Sequence, residues 1–178
     1  MSFEFLLFVP GPWGDPLEQG RKRYEGSSKP LEDKSVPSQN FKQNMQGAIL
    51  AQQPDYEVLD TDFETIAEEE GISVAKARQL YRDVELSPPE TDKGPHITVQ
   101  DDAVVFTLTV PEQQADASVM FDTTWVLMQA CDRVQSCHVY VPQMDKVIRL
   151  REAHDREEVR KYFEAMIAAI KRPWWKFW

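Results

Sequence analysis

Carboxylates are the most abundant reactive groups in the sequence, with 30 Asp and Glu against 20 Lys and Arg and a formal net charge of −10. Paired carboxylates can act as general acid and base, as in glycosidases, or can ligate a hard cation. Neither pattern is legible: no Asp-x-Asp-x-Asp-Gly loop occurs, and nothing buries one acid beside another to raise its pKa. The three histidines, His96, His138 and His154, stand in no H-x-x-x-H or H-E-x-x-H spacing, so no zinc site is predicted. His138 directly follows Cys137, but neighbours on a strand point to opposite faces and cannot pair as base and nucleophile. There is no G-x-S-x-G, P-loop or G-x-G-x-x-G pattern, and the seven glycines are too dispersed to cradle a phosphate. The residues therefore predict no catalytic residue, no metal and no cofactor.

What the acids do have is a distribution. Residues 1–54 hold six acids and six bases, residues 55–116 sixteen and four, and residues 117–178 eight and ten. The whole negative excess thus lies in the middle third. Such a field repels nucleic acid and membrane surfaces and speeds encounter with a basic partner; equally, it serves as a plain solubilising surface. Turns and helix starts project side chains well, which singles out Asp60, Asp62, Asp101 and Asp102 as the centre of a docking surface. Glu68 and Glu69 are its rim.

A second pattern overlaps the first. Ile66-Ala67-x3-Gly71-Ile72-Ser73-x-Ala75-x-Ala77-x-x-Leu80 resembles a helix-turn-helix, with small residues where two helices touch, Gly at the turn and Leu as anchor. In a DNA-binding protein its second helix would offer Lys76, Arg78, Gln79 and Arg82 to the major groove. Glu64, Glu68, Glu69 and Glu70 on the first helix would then sit close to phosphates, where contact normally supplies most of the affinity. A short turn between two small helices needs the same residues without DNA.

The elements that must position these residues follow from periodicity. Phe3 to Pro10 reads as a first strand; Glu4 and the lack of a basic leader and cleavage site argue against a signal peptide. Pro10 to Pro16 must break regular structure, and the polar stretch 19–37 reads as a mobile loop. Phe41, Met45, Ala48 and Ile49 lie on one face of a helix from Ser38 to Gln53. Tyr56 to Leu59 is a short strand or an extended lead-in. Thr61-x-x-Glu64 forms a capping box for a helix to Glu70, Gly71 stops it, and Ser73 caps a second helix to about Asp83. His96 to Val110 alternates as a hairpin turning at Asp101–Asp102. A helix from Asp116 to about Val134, strands at Cys137–Val141 and Lys146–Leu150, and a helix from Asp155 to Ile170 complete the order. Phe106, Leu108, Trp125, Met128, Val139, Phe163 and Ile167 are the predicted core.

The expected fold is therefore α+β: a mostly antiparallel sheet of four or five strands, with helices mainly on one face. It forms a single domain over residues 1–170, followed by the tail Lys171 to Trp178. Four aromatics among basic residues make that tail either an interfacial wedge or a cap on the core; eight residues are too few for stable membrane binding. No apolar run reaches the ~18 residues of a membrane span. With two cysteines and no export signal, the expected address is cytoplasmic, with Cys131 and Cys137 reduced.

The opening Met-Ser-Phe-Glu-Phe-Leu-Leu-Phe, the stretch Ile66 to Leu86, the Val141-Pro142-Gln143-Met144-Asp145-Lys146-Val147-Ile148 segment and the Trp-rich end together resemble small bacterial immunity proteins encoded beside secreted or contact-delivered toxins. The resemblance implies a cytoplasmic protein that binds one toxin and blocks its active site or its folding, and it carries over no catalytic residue. A helix-turn-helix transcriptional regulator is the alternative expectation.

Overall fold

The structure, a computed structural model, describes residues 2–27, 39–90, 93–109 and 114–170. Strand β1 (Ser2–Phe8) opens the chain, followed by helices α1 (Pro16–Ser27) and α2 (Gln39–Gln52). A short β2 (Glu57–Leu59) leads into α3 (Phe63–Glu70) and α4 (Val74–Leu80), after which β3 (Val84–Ser87), β4 (His96–Val99) and β5 (Ala103–Thr109) follow. Helix α5 (Gln114–Val134), strands β6 (His138–Val141) and β7 (Lys146–Ile148) and helix α6 (Ala153–Ile170) end the described chain. A single 3-10 turn, Pro142–Met144, joins β6 to β7.

The strands form one sheet in the order β2-β3-β4-β5-β1-β6-β7, antiparallel at every pairing. This is the expected α+β class, but with seven strands instead of four or five. The difference comes from short edge elements. Val84-Glu85-Leu86-Ser87 offers only two alternating apolar residues before Pro88–Pro89, too few to announce a strand, and Tyr56 to Leu59 proved to contain the edge strand β2.

One face of the sheet carries the main core. Phe3, Phe5 and Leu7 of β1 and Val104, Phe106 and Leu108 of β5 meet Met45 and Ile49 of α2, Trp125 and Met128 of α5, and Phe163 and Ile167 of α6. All seven predicted core residues are buried there. Phe121 stacks between Trp125 and Phe163 at centroid distances of 5.8 Å to each. Arg156 and Arg160 close over this stack, and both guanidinia reach Asp122, at 2.8 and 2.7 Å.

The opposite face holds a smaller cluster, Leu6, Phe8, Ala103 and Tyr140, covered by Leu17 and Tyr24 of α1. Residues 19–27, read from sequence as loop, are the body of this helix. Asp15 accepts a hydrogen bond from the Leu17 amide at 3.2 Å, and Pro16 supplies a pre-set φ in the first turn. Leu17 and Tyr24 lie two turns apart on one face, and Gly20 between them lets the helix touch the sheet. A Cβ there would lie 2.8 Å from the Tyr140 Cβ. Residues 28–37 of the predicted loop, Val110, and the tail 171–178 lie outside the described residues.

Candidate functional site

Strand register collects the singled-out acids. Leu59 pairs with Glu85, Val84 with Val99, Val99 with Val104, and Phe8 with Ala103. The end of β2, the start of β3, the β4–β5 turn and the end of β1 therefore share one end of the sheet. Asp60 and Asp62 follow β2 there, and Asp101 and Asp102 form the β4–β5 turn. Between β2 and β3 the chain makes its α3–α4 excursion from this same end, and Glu68 and Glu69 ride on α3.

The excursion is built from local signals. Asp62 caps α3, its Oδ1 accepting the Thr65 amide at 3.0 Å and its Oδ2 the Thr65 hydroxyl at 2.8 Å. Those bonds hold its carboxyl below the ordinary range. The cap thus falls on Asp62 instead of the Thr61–Glu64 box expected from sequence: a carboxylate at the N-cap reaches the N3 amide and complements the helix dipole. Gly71 ends α3 in the left-handed conformation at φ 65°, with the Ile72 amide bonded back to the Ala67 carbonyl at 3.0 Å. Ser73 caps α4 through the Lys76 amide at 3.2 Å. Between the two helices only Ala67 and Ala77 are buried. Arg78 of α4 lies over the Phe63 ring at 4.9 Å.

At the foot of the excursion sits a neutral cluster of four charges. Arg82 and Lys42 both bind Asp101, Lys42 at 2.9 Å, and Lys42 also donates to the Arg82 carbonyl at 2.7 Å and to Asp83 at 3.4 Å. Burial alone would raise Asp101, but its bonds to Arg82 and Lys42 outweigh that and hold it below the ordinary carboxylate range. Burial raises Asp83, and Lys42 offsets this only in part. The cluster ties α2, the α4–β3 connection and the β4–β5 turn together. Asp102, exposed, pairs with Arg23 of α1 at 2.8 Å.

The six predicted docking acids thus divide. Asp60, Glu68 and Glu69 are exposed and form no ion pair with a described residue. Asp62 is a helix cap, Asp101 is the partly buried hub of the cluster, and Asp102 already holds a cation. Sequence spacing shows that acids accumulate; it does not show which already have partners in distant elements such as α1 and α2. Two features escaped the sequence reading altogether. One is the Lys42–Arg82–Asp83–Asp101 cluster, whose members are up to 59 positions apart. The other is Trp13, which is 88 % exposed on the β1–α1 turn.

The remaining reactive groups are muted. Cys131 and Cys137 are free and buried, and burial pushes both thiols up to about 12. His138 is depressed by burial and by Arg149. Among the described residues no group of three or more His, Cys, Asp or Glu is placed to hold a metal, and no helix is long and apolar enough to cross a membrane. Compared with protein families, with curated proteins and with solved structures, the chain matches none.

Proposed function

We propose that the protein is a bacterial, cytoplasmic binding module of the immunity type, which docks on a basic protein toxin and neutralises it. The observation that carries the reading is the α3–α4 excursion. It stands off one end of the sheet, buries only two alanines between its helices, and displays Asp60, Glu64, Glu68, Glu69 and Glu70 with no cation from the described residues bound to them. A segment with so little core adds little to stability, and unpaired acids there give a field that accelerates encounter with a cationic surface. A nuclease, which must present cations to phosphates, is the toxin class with the matching surface.

The alternative reading, DNA recognition through α4, has the right turn but not the free cations. Arg82 is bound to Asp101 and Arg78 lies over Phe63, and the two exposed cations of α4, Lys76 and Arg78, share the excursion with four glutamates of α3.

The test has two steps: the reading frame directly upstream should encode a basic toxin domain, and stopped-flow association with that domain is then measured at several salt concentrations. Association should slow as salt rises, and a Glu64/Glu68/Glu69/Glu70→Gln variant should associate more slowly and lose most of the salt dependence. A salt-independent rate, or duplex DNA retained at 150 mM salt and released by Lys76→Ala, would replace this reading with a solubilising surface or a regulator, respectively.

A further inference from the structure

Of the two tryptophans among the described residues, Trp125 is 1 % exposed and Trp13 is 88 % exposed. Among the described residues the next most exposed large apolar side chain, Val119, reaches only 54 %. Nothing in the local chain forces Trp13 outward by leaving the turn loose; the turn is braced. Gln19 of α1 reaches back to accept the Gly11 amide at 2.7 Å and donates to the carbonyls of Trp13 and Gly14 at 3.0 and 3.3 Å. Gly14 takes φ 103°, a conformation strained for any L side chain, and Pro10, Pro12 and Pro16 stiffen the flanks. The bracing helix is itself seated on the sheet through Gly20 and Tyr140.

A large aromatic held outward on a fixed turn loses little conformational freedom on binding, and Trp is among the residues enriched at the energetic centres of interfaces. Its surroundings indicate the partner. The turn leaves β1 where Phe8 pairs with Ala103, beside the Asp101–Asp102 turn, at the same end of the sheet from which the acidic α3–α4 excursion leaves at the β2–β3 edge. Asp15 follows it, exposed and without an ion pair to a described residue; Glu18, also exposed, is paired with Arg21 at 3.1 Å, and no Lys or Arg occurs before Arg21. Arg21 and Arg23 are already bound to acids of the chain, at Asp145 and Asp102, which leaves Lys22 as the one exposed cation of α1 without an ion pair to a described residue.

We propose that the β1–α1 turn is a docking element with Trp13 as its anchor, fitting a protein surface that has an apolar pocket rimmed by Lys and Arg. This deepens the reading of an acidic docking end and rests on it. The acids bring the partner in; Trp13 holds it.

A photo-crosslinking benzoylphenylalanine placed at position 13 of the full chain, in the cells that make it, gives the test, with Lys161 on the exposed face of α6 as the control position. The expected result is one discrete adduct from position 13 and none from position 161. The adducted protein, purified, should be basic and should bind the wild-type chain. Trp13→Ala should weaken that binding about 30-fold or more, mainly by faster dissociation, with Trp13→Phe intermediate. Because Trp13 touches so little of its own chain, Trp13→Ala should leave circular dichroism and melting unchanged, so loss of binding is not loss of fold. Absence of an adduct at position 13, a lipid adduct, or a partner that binds Trp13→Ala as tightly as wild type overturns the proposal. The two readings fail separately: α3 glutamine substitutions that slow association beside a neutral Trp13→Ala leave the acidic docking end standing without its anchor.

Discussion

The sheet with its packed helices and the α3–α4 excursion are folded by different means. In the sheet body, six of the seven strands share one core with α2, α5 and α6, in which Trp125, Phe163, Phe121, Phe3 and Phe5 are fully buried, and Phe8 is buried on the opposite face. In the excursion, helices of eight and seven residues are held by a carboxylate cap, a serine cap and a left-handed glycine, with two alanines between them. Isolated helices that short are marginal in water. The excursion therefore takes its order from its caps and from the ion cluster at its foot, while the body takes it from apolar burial. The comparison teaches where change is tolerated. The body is closed to additions and deletions of volume; the excursion is open on nearly every side, and its exposed residues are free to be chosen for a partner.

The comparison breaks first at Trp125. Truncation to Ala should cost about 3–5 kcal/mol in urea unfolding, the range for a fully buried aromatic, and should lower protection of sheet and helices alike. A loss under about 1 kcal/mol would mean the three-helix face is not the main core. Adding volume tests the other face: Gly20→Ala places a methyl against the Tyr140 Cβ and should cost about 1–3 kcal/mol. Wild-type stability in that variant would mean α1 is not pressed on the sheet.

The same contrast accounts for what the sequence made legible. The core positions lie in long elements with strong periodicity, where Phe106, Leu108, Trp125 and Phe163 repeat at strand or helix spacing. The caps Ser73 and Gly71 are local signals, readable within a few residues. What stayed hidden has its cause in distant chain. Helix α1 carries only Leu17 and Tyr24 as apolar contacts, because a glycine does the packing between them; its start signal, Asp15 before Pro16, was readable but stands in a proline-rich turn. Strand β3 has meaning only beside β2 and β4. Asp101 and Asp102 read as free carboxylates until α2, the α4–β3 connection and α1 bring Lys42, Arg82 and Arg23 to them.

The cluster at the foot sharpens the comparison next. Asp101→Asn leaves Lys42 and Arg82 sharing a neutral amide and should cost about 1–2 kcal/mol. The loss should concentrate in amide exchange of residues 63–80 and spare β1 and β5. Asp101 is held below its ordinary pKa, so its contribution is present above the unfolded value, about pH 4, and is lost as pH falls through the lower folded one. Asp83 has the opposite sign: its folded pKa is raised, so its charge costs stability above that pKa, and acid relieves the cost. Excursion amides should therefore lose protection below about pH 4 before the sheet does, and Asp101→Asn should flatten that dependence. Exchange that rises together in sheet and excursion would show the cluster is not a local clamp.

The smallest expected effect carries the most about function. Glu68 and Glu69 are exposed, cap nothing and pair with no described residue, and they share a short helix with two other unpaired acids, Glu64 and Glu70. Removing their charges relieves some like-charge repulsion and forfeits no contact, so Glu68→Gln with Glu69→Gln should move the melting temperature by no more than about 2 °C, and upward if at all. A surface that exists only for solubility and one that exists for a partner agree on this outcome, and they part on the next measurement. If the acids steer a basic protein, the same variant should slow association several-fold at low salt and hardly at all at high salt, with dissociation unchanged. If melting falls by many degrees instead, the two glutamates hold a structural contact, and the excursion is a packed part of the body, not the open element described above.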